Sequence, residues 1–174
     1  MKISRINQNN YSLFSTQYGS IDLNSTMFLA YRDIPQILRR HFLSPSREPG
    51  IYGFLDYGCG PGKSTELLLK IFNQLNINVK ATGVDINSAN IQTAQARLPH
   101  SEFKLLKSHD LPTGLGRYDI ITCFFVLLEN DKKSVKIILN NIHHLLKKDG
   151  IAIITNCNAK IYNNAHSWYS IDNR

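Results

Sequence analysis

Phe54-Leu55-Asp56-Tyr57-Gly58-Cys59-Gly60-Pro61-Gly62-Lys63-Ser64-Thr65 is the stretch on which the reading of this chain turns. A short apolar run ends in three alternating glycines and passes straight into a segment where Leu67, Leu68, Ile71 and Leu75 recur at helical spacing. Glycines let a backbone turn sharply and approach a ligand with no Cβ in the way, and the helix start behind them presents unpaired N–H groups. Strand, glycine loop and helix in that order predict a cofactor site, and the glycine spacing says which kind. A phosphate-cradling loop requires G-x-x-x-x-G-K-[ST]; counting back five from Gly62 gives Tyr57, so Lys63-Ser64 lacks the glycine that the motif needs. A dinucleotide fold requires G-x-G-x-x-G, and the third place counted from Gly58 and Gly60 is held by Lys63. The residues argue against both phosphate-binding readings.

Outward from this loop, short β-rich runs alternate with helix-periodic stretches from about residue 51 onward, which predicts an α/β class with a mostly parallel sheet. The strand candidates are Ile51–Tyr57, Val79–Asp85, Glu102–Leu106, Tyr118–Phe125 and Ile151–Cys157. The last two are near-continuous apolar runs and are expected to lie centrally, buried on both faces. Val135, Ile138, Leu139, Ile142 and Leu146 mark a second helical stripe, and Ile91, Ala94 and Leu98 a weaker third. Asn87 or Ser88, and Asn130 or Asp131, are the candidate N-caps, and Gly150 is expected to end the last helix. Residues 1–50 differ: they are polar as far as Ser25, then amphipathic through Ala30, Ile34, Ile37, Leu38 and Phe42. A leading helix is expected there, capped by Asp33 with Pro35 in its first turn. The chain thus divides into an N-terminal helical or lid segment, 1–50, and an α/β core, 51–174, within one domain.

Composition limits the alternatives. The 174 residues suffice for one core, and the longest apolar run, Ile120 to Leu128, is far short of the roughly 20 residues that span a bilayer. The polar start, Met1 to Asn10, lacks an apolar signal core, so a cytoplasmic location is expected. Twenty Lys plus Arg against 13 Asp plus Glu leave a net charge of +7, which permits an acidic partner. The basic residues are scattered, however, which disfavours nucleic acid as a partner. The three cysteines are far apart, and no His/Cys cluster has metal-ligand spacing, so neither a disulfide framework nor a metal is expected.

The Leu55-Asp56-x-Gly58-x-Gly60-x-Gly62 pattern resembles motif I of the class I S-adenosylmethionine-dependent methyltransferases. Three more elements extend the likeness: Asp85 at the end of the second strand, Asp110 in Ser108-His109-Asp110-Leu111-Pro112, and Tyr118-Asp119-Ile120-Ile121. Leu146-Lys147-Lys148-Asp149-Gly150 resembles the family's L-K-x-G-G element, with Asp149 in place of the first glycine. The resemblance implies a doubly wound, Rossmann-like sheet of order 3-2-1-4-5 that binds S-adenosylmethionine. Because that cofactor carries two positive groups against one carboxylate, Asp56 is favourable at the loop where it would repel a pyrophosphate. Asp56 read by itself is a strand-end carboxylate capping the following turn. Asp85 is placed to accept from both ribose hydroxyls, although a strand-ending Asp also forms turns. The family pattern further assigns Asp110 to the adenine amino group, Ile86 and Leu111 to the ring faces, the backbone of Gly58, Cys59 and Gly60 to the cofactor, and the Cys123 end of the fourth strand to its methionine part.

The fourth-strand sequence Cys123-Phe124-Phe125-Val126-Leu127-Leu128-Glu129 lacks the Asn-Pro-Pro-Tyr of amino-methylating DNA and protein enzymes, and none of the cysteines follows proline. The resemblance is therefore to the small-molecule branch, which implies a small-molecule methyl acceptor. No catalytic residue is assigned, and Glu129 reads as a helix-start acid in preference to a base. Tyr11, Tyr18 and Tyr31-Arg32 are candidates to reach over the cofactor. Only residues 158–174 follow the fifth strand, too few for the family's sixth and seventh strands, so either the chain is cut after the cofactor half or the exposed fifth-strand edge is covered by a partner or a second copy. The alternatives to a small-molecule methyltransferase are a cofactor-binding module or fragment without turnover and, further off, an RNA methyltransferase.

Overall fold

The computed structural model describes residues 30–44, 47–107 and 114–156. Helix α1 spans Ile34–Phe42, and its spacing places Ile34, Leu38 and Phe42 inside. Pro35 is accommodated in the first turn, where its missing N–H costs nothing. Asp33 is the N-cap by position but makes no capping bond; its carboxylate is held by Arg32 at 3.1 Å instead.

Strands β1 (Tyr52–Tyr57), β2 (Val79–Asp85), β3 (Glu102–Leu105), β4 (Tyr118–Phe124) and β5 (Leu146–Thr155) form one sheet in the order β3-β2-β1-β4-β5. All four pairings are parallel. Helices α2 (Lys63–Gln74), α3 (Ser88–Arg97) and α4 (Lys132–Leu145) follow β1, β2 and β4. Asn87 caps α3 by accepting from the amides of Ala89 and Asn90, and Asp131 caps α4 by accepting from Ser134. Alternation along β1 and β4 sorts the core. Phe54, Ile120 and Phe124 face α1 and α2 with Leu38, Leu68 and Phe72, whereas Leu55, Ile121 and Cys123 face α4 with Ile138 and Ile142. Asp56 and Thr122 are register partners on the first of these faces.

Two expectations about the last strand fail. β5 lies at the sheet margin, not centrally, and none of its residues is buried. Ile151 and Ile153 pack on the first core, but Ala152 is exposed and Ile154 is 40% exposed. The run encodes two apolar faces, and among the described residues only Ile151 and Ile153 of that run pack into a core. β5 also begins at Leu146, directly after α4, and its pairing with β4 is irregular between Tyr118 and Ile120. Within that irregularity Asp149, not Gly150, takes the left-handed backbone, at φ 61°. Gly150 is required for a different reason: a Cβ there would lie 3.0 Å from the carbonyl oxygen of Asp119. The replaced first glycine of L-K-x-G-G is thus the turn former, and Asp is among the residues that tolerate the geometry.

The sheet order reverses between β1 and β4, and the glycine loop leaves β1 at that point. Ligands of open α/β sheets bind at such a switch, beyond the carboxyl ends of the strands.

Candidate cofactor site

The loop after β1 makes three left-handed turns, at Gly58 (φ 77°), Gly60 (φ 52°) and Gly62 (φ 82°). Each glycine has a different spatial reason. At Gly58 an added Cβ would run into the Val126 side chain on the segment leaving β4. At Gly62, the N-cap of α2, it would come within 3.1 Å of Ala94, so this glycine lets α2 start against α3. Around Gly60 nothing lies within 4 Å, and the backbone is open to an incoming molecule.

The loop amides are spent inside the protein. Gly58 and Cys59 both donate to the Val84 carbonyl (2.7 and 2.9 Å), Gly62 donates to the Cys59 carbonyl (3.0 Å), and Gly60 donates to Asp85 Oδ2 (2.9 Å). A phosphate cradle needs such amides free. Beside its open Gly60 backbone stands the Asp85 carboxylate, the opposite charge preference from a P-loop or a pyrophosphate site.

The two carboxylates differ. Asp56 is 1% exposed and accepts three hydroxyl bonds, from Ser64 (2.6 Å) and Thr65 (2.6 Å) at the start of α2 and from Thr122 (2.8 Å) on β4. Burial pushes its carboxyl above the usual range; the three donors oppose that shift, and the nearby Asp85 adds to it. Asp56 therefore ties β1, α2 and β4 together, which agrees with its reading as a cap of the following turn. Asp85 is half-buried, with Oδ1 accepting from the Asn87 amide (2.8 Å) and Asn90 Nδ2 (3.3 Å) and Oδ2 from Gly60. A carboxylate oxygen offers two lone-pair directions, so Oδ2 keeps one for a ligand hydroxyl. Ile86 follows at 48% exposure, an apolar side chain held in the open beside that carboxylate.

The cysteines stay inside. Cys59 packs with Ala94 and Phe103, and Cys123 is fully buried under α4. Burial raises both thiols, that of Cys123 to about 12, with Asp56 contributing in each case. The structure thus brings Asp56, Gly58, Gly60, Asp85 and Ile86 to the mouth of β1 and β2, with the Cys59 side chain beneath and Cys123 on the far face of the sheet. Asp110 and Leu111 lie outside the described residues, as do Tyr11 and Tyr18. Tyr31 is buried with its ring edge-on to Phe124, at 5.2 Å between centroids. At the end of β4, Phe125 takes φ 60°, a strained setting for a bulky residue, and so redirects the chain toward Gly58.

Ser64, Thr65, Thr122 and Asn90, which surround Asp56 and Asp85 here, belong to no motif of the sequence. The signals were present: a hydroxyl pair after Lys63, one polar break in the apolar run Ile120 to Leu128, and an amide beside the Ile91/Ala94 stripe. Among the described residues no group of His, Cys, Asp and Glu is arranged to hold a metal, and no helix is long and apolar enough to cross a membrane.

An adenosyl cofactor with a sulfonium fits this chemistry: an open glycine backbone, consumed amides, a spare carboxylate lone pair for a ribose and an exposed apolar neighbour for a base. Comparison with known proteins points the same way. Residues 52–171 match the model of a family described as "Methyltransferase domain". Curated relatives include a trans-aconitate 2-methyltransferase of Variovorax paradoxus, 33% identical over 85 residues, covering 49% of this chain and 31% of that protein. A non-reducing polyketide synthase of Monascus ruber aligns over 87% of the chain at 23% identity but over only 6% of its own length. The chain therefore spans less than a third of these relatives. Among solved structures, the sugar N-methyltransferase KedS8 from Streptoalloteichus sp. shares the fold with TM-score 0.59 at 19% identity over 84% of this chain and 53% of its own. PKMT2 from Rickettsia typhi, solved with AdoHcy, gives 0.57 at 26% identity over 72% of this chain and 25% of its own. With the family's model covering the sheet and its glycine loop from β1 onward, this chain belongs to the methyltransferase-domain family.

Proposed function

We propose that the chain binds S-adenosylmethionine at the β1–β2 mouth and transfers its methyl group to a small-molecule acceptor. The observation that carries the reading is the glycine loop whose Gly58, Cys59, Gly60 and Gly62 amides are all occupied by protein acceptors, with Asp56 and Asp85 at the adjoining strand ends. Such a site favours a ligand with positive groups and hydroxyls over one with phosphates. Bound there, the cofactor supplies an electrophilic methyl on a sulfonium. Asp85 Oδ2 accepts from the ribose, Gly60 lets the ligand approach the main chain, and Ile86 covers one face of the base. Asp110 and Leu111 are assigned to the other edge and face of the base. Asp56 holds the loop's shape from below and supplies negative potential, while Cys59 and Cys123 act by packing. The remaining contribution is alignment of the acceptor and exclusion of water, which accounts for much of the barrier reduction in such displacements.

The small-molecule class is supported by the trans-aconitate 2-methyltransferase to which the chain is similar. A second copy is the proposed partner for the outer edge of β5, which pairs with β4 alone among the described residues. Isothermal titration of the full chain with S-adenosylmethionine tests the central claim: one site per chain is expected, and a folded chain that binds none overturns it. Radiolabelled methyl transfer to metabolite pools then separates an enzyme from a module that binds without turnover.

A further inference from the structure

Asn90 is the polar residue that the site so far leaves unexplained. It sits in the first turn of α3 at 6% exposure, on a helix whose neighbours Ile91, Ala94 and Leu98 pack inward. Its Nδ2 donates to Asp85 Oδ1 at 3.3 Å, and its Oδ1 is buried without a hydrogen-bond partner among the described residues. An orphaned buried carbonyl works against folding, so its presence calls for a compensating role. Turning the amide over gives no relief, because Oδ1 would then meet the Asp85 carboxylate and two acceptors would face each other. Asp85 therefore dictates the orientation.

The three donors on Asp85 are not equivalent. Gly60 and Asn87 give backbone amides, which are present whatever residue stands at position 90. Asn90 gives the only side-chain donor to this carboxylate among the described residues, and it completes the occupation of Oδ1. We propose that Asn90 is a positioning residue for ligand recognition: by saturating Oδ1 it fixes the carboxylate plane so that the spare lone pair of Oδ2 faces the vicinal diol of a nucleoside ligand. This rests on the cofactor reading above and adds to it the residue that sets diol selectivity.

The test uses the full chain with Asn90→Leu and, against overpacking, Asn90→Ala. Melting temperature is measured together with calorimetric affinity for S-adenosylhomocysteine and for its 2′,3′-dideoxy counterpart. Asn90→Leu is expected to melt near the wild-type temperature, the removed orphan carbonyl offsetting the lost bond to Asp85, and Asn90→Ala somewhat lower because it also leaves a cavity. They are expected to bind S-adenosylhomocysteine at least about tenfold more weakly and the dideoxy compound within about twofold of wild type. Equal loss for both compounds, or loss for neither, overturns the positioning role while wild-type binding leaves the cofactor reading standing. A wild-type chain that does not bind S-adenosylhomocysteine overturns both.

Discussion

Asp56 and Asp85 end adjacent strands with the same side chain and different employment. Asp56 is a buried charge compensated by three hydroxyls, and removing one leaves part of it uncompensated. Thr122→Val keeps the shape and deletes the bond to Oδ1; we expect a loss of about 1–3 kcal/mol, read from the urea midpoint at unchanged slope. The glycines separate in the same way. Gly60→Ala meets nothing within 4 Å, so only the left-handed backbone, about 1–2 kcal/mol, opposes folding, while the added methyl occupies the cofactor's approach. Gly58→Ala adds a collision with Val126 to the same backbone strain and is expected to lose about 1–3 kcal/mol more. Paired denaturation and ligand titration check this: Gly60→Ala should stay folded and lose affinity, and Gly58→Ala should lose stability first. The glycines and both aspartates were legible in the sequence because each belongs to a local pattern. Ser64 and Thr65 resembled a failed phosphate motif, and their service to Asp56, like that of Thr122, depends on the β1–β4 register, which no local pattern reveals.

Elements were legible in proportion to how locally they are determined. β2 falls on the expected Val79–Asp85, and the Asn87 and Asp131 caps hold their helices as their positions predict. β5 departs because Lys147-Lys148-Asp149-Gly150 reads as a turn while long-range contacts make it the irregular start of a strand. Lys147 Nζ and the Gly53 amide both bond Asp119 Oδ2 at 2.8 Å, and Arg47 reaches the Asp149 carbonyl at 3.0 Å. The same corner docks α1. Arg47 lies 4.4 Å over the Phe42 ring, and its Nη1 is 2.8 Å from His41 Nε2. The same Nε2 lies 3.0 Å from the Asp149 carbonyl; desolvation first and Arg47 second lower the His41 pKa from 6.5, with the Asp149 carbonyl opposing them. Native His41 thus gives up its proton more readily than unfolded His41. The contact contributes fully above about pH 6.5, and its contribution declines as the pH falls below that value toward the lowered native pKa. Wild type should therefore lose stability relative to His41→Gln as pH is taken from 7.5 to about 5, the difference cancelling groups common to both. A difference that is flat or of opposite sign in urea titrations across that range removes His41 from the docking of α1.

For the whole molecule, the switch point between β1 and β4 makes ligand binding a property of the sheet: the Asp56 hydroxyl cluster, the Val84 carbonyl and the α2–α3 contact at Gly62 all brace one loop. The sheet order, β5 at its margin included, was readable from the family likeness, whereas the apolar pattern of β5 pointed to a buried central strand, since an apolar run looks alike whether one or both of its faces are covered. The net charge of +7 is likewise uninformative about the site. Cations are paired at the periphery, as in Arg97 with Glu66 at 3.1 Å, while the loop mouth carries carboxylates. Because the loop joins three strands and two helices, a ligand that binds only the folded chain must raise the melting temperature of the entire fold. At a hundredfold excess over its Kd the stabilisation is about 2.7 kcal/mol, which for a chain of this size corresponds to roughly 5–11 °C. Asp85→Ala strands the Gly60 and Asn87 amides and Asn90 Nδ2, so it should start from a lower unliganded melting temperature and, binding at least about tenfold more weakly, keep about half or less of the shift at the same ligand concentration. Thr122→Val should also lower the baseline but keep the full shift, since it weakens the brace and leaves Asp85 untouched. Equal shifts in wild type and Asp85→Ala, measured by scanning calorimetry with S-adenosylhomocysteine, would place the ligand elsewhere on the molecule.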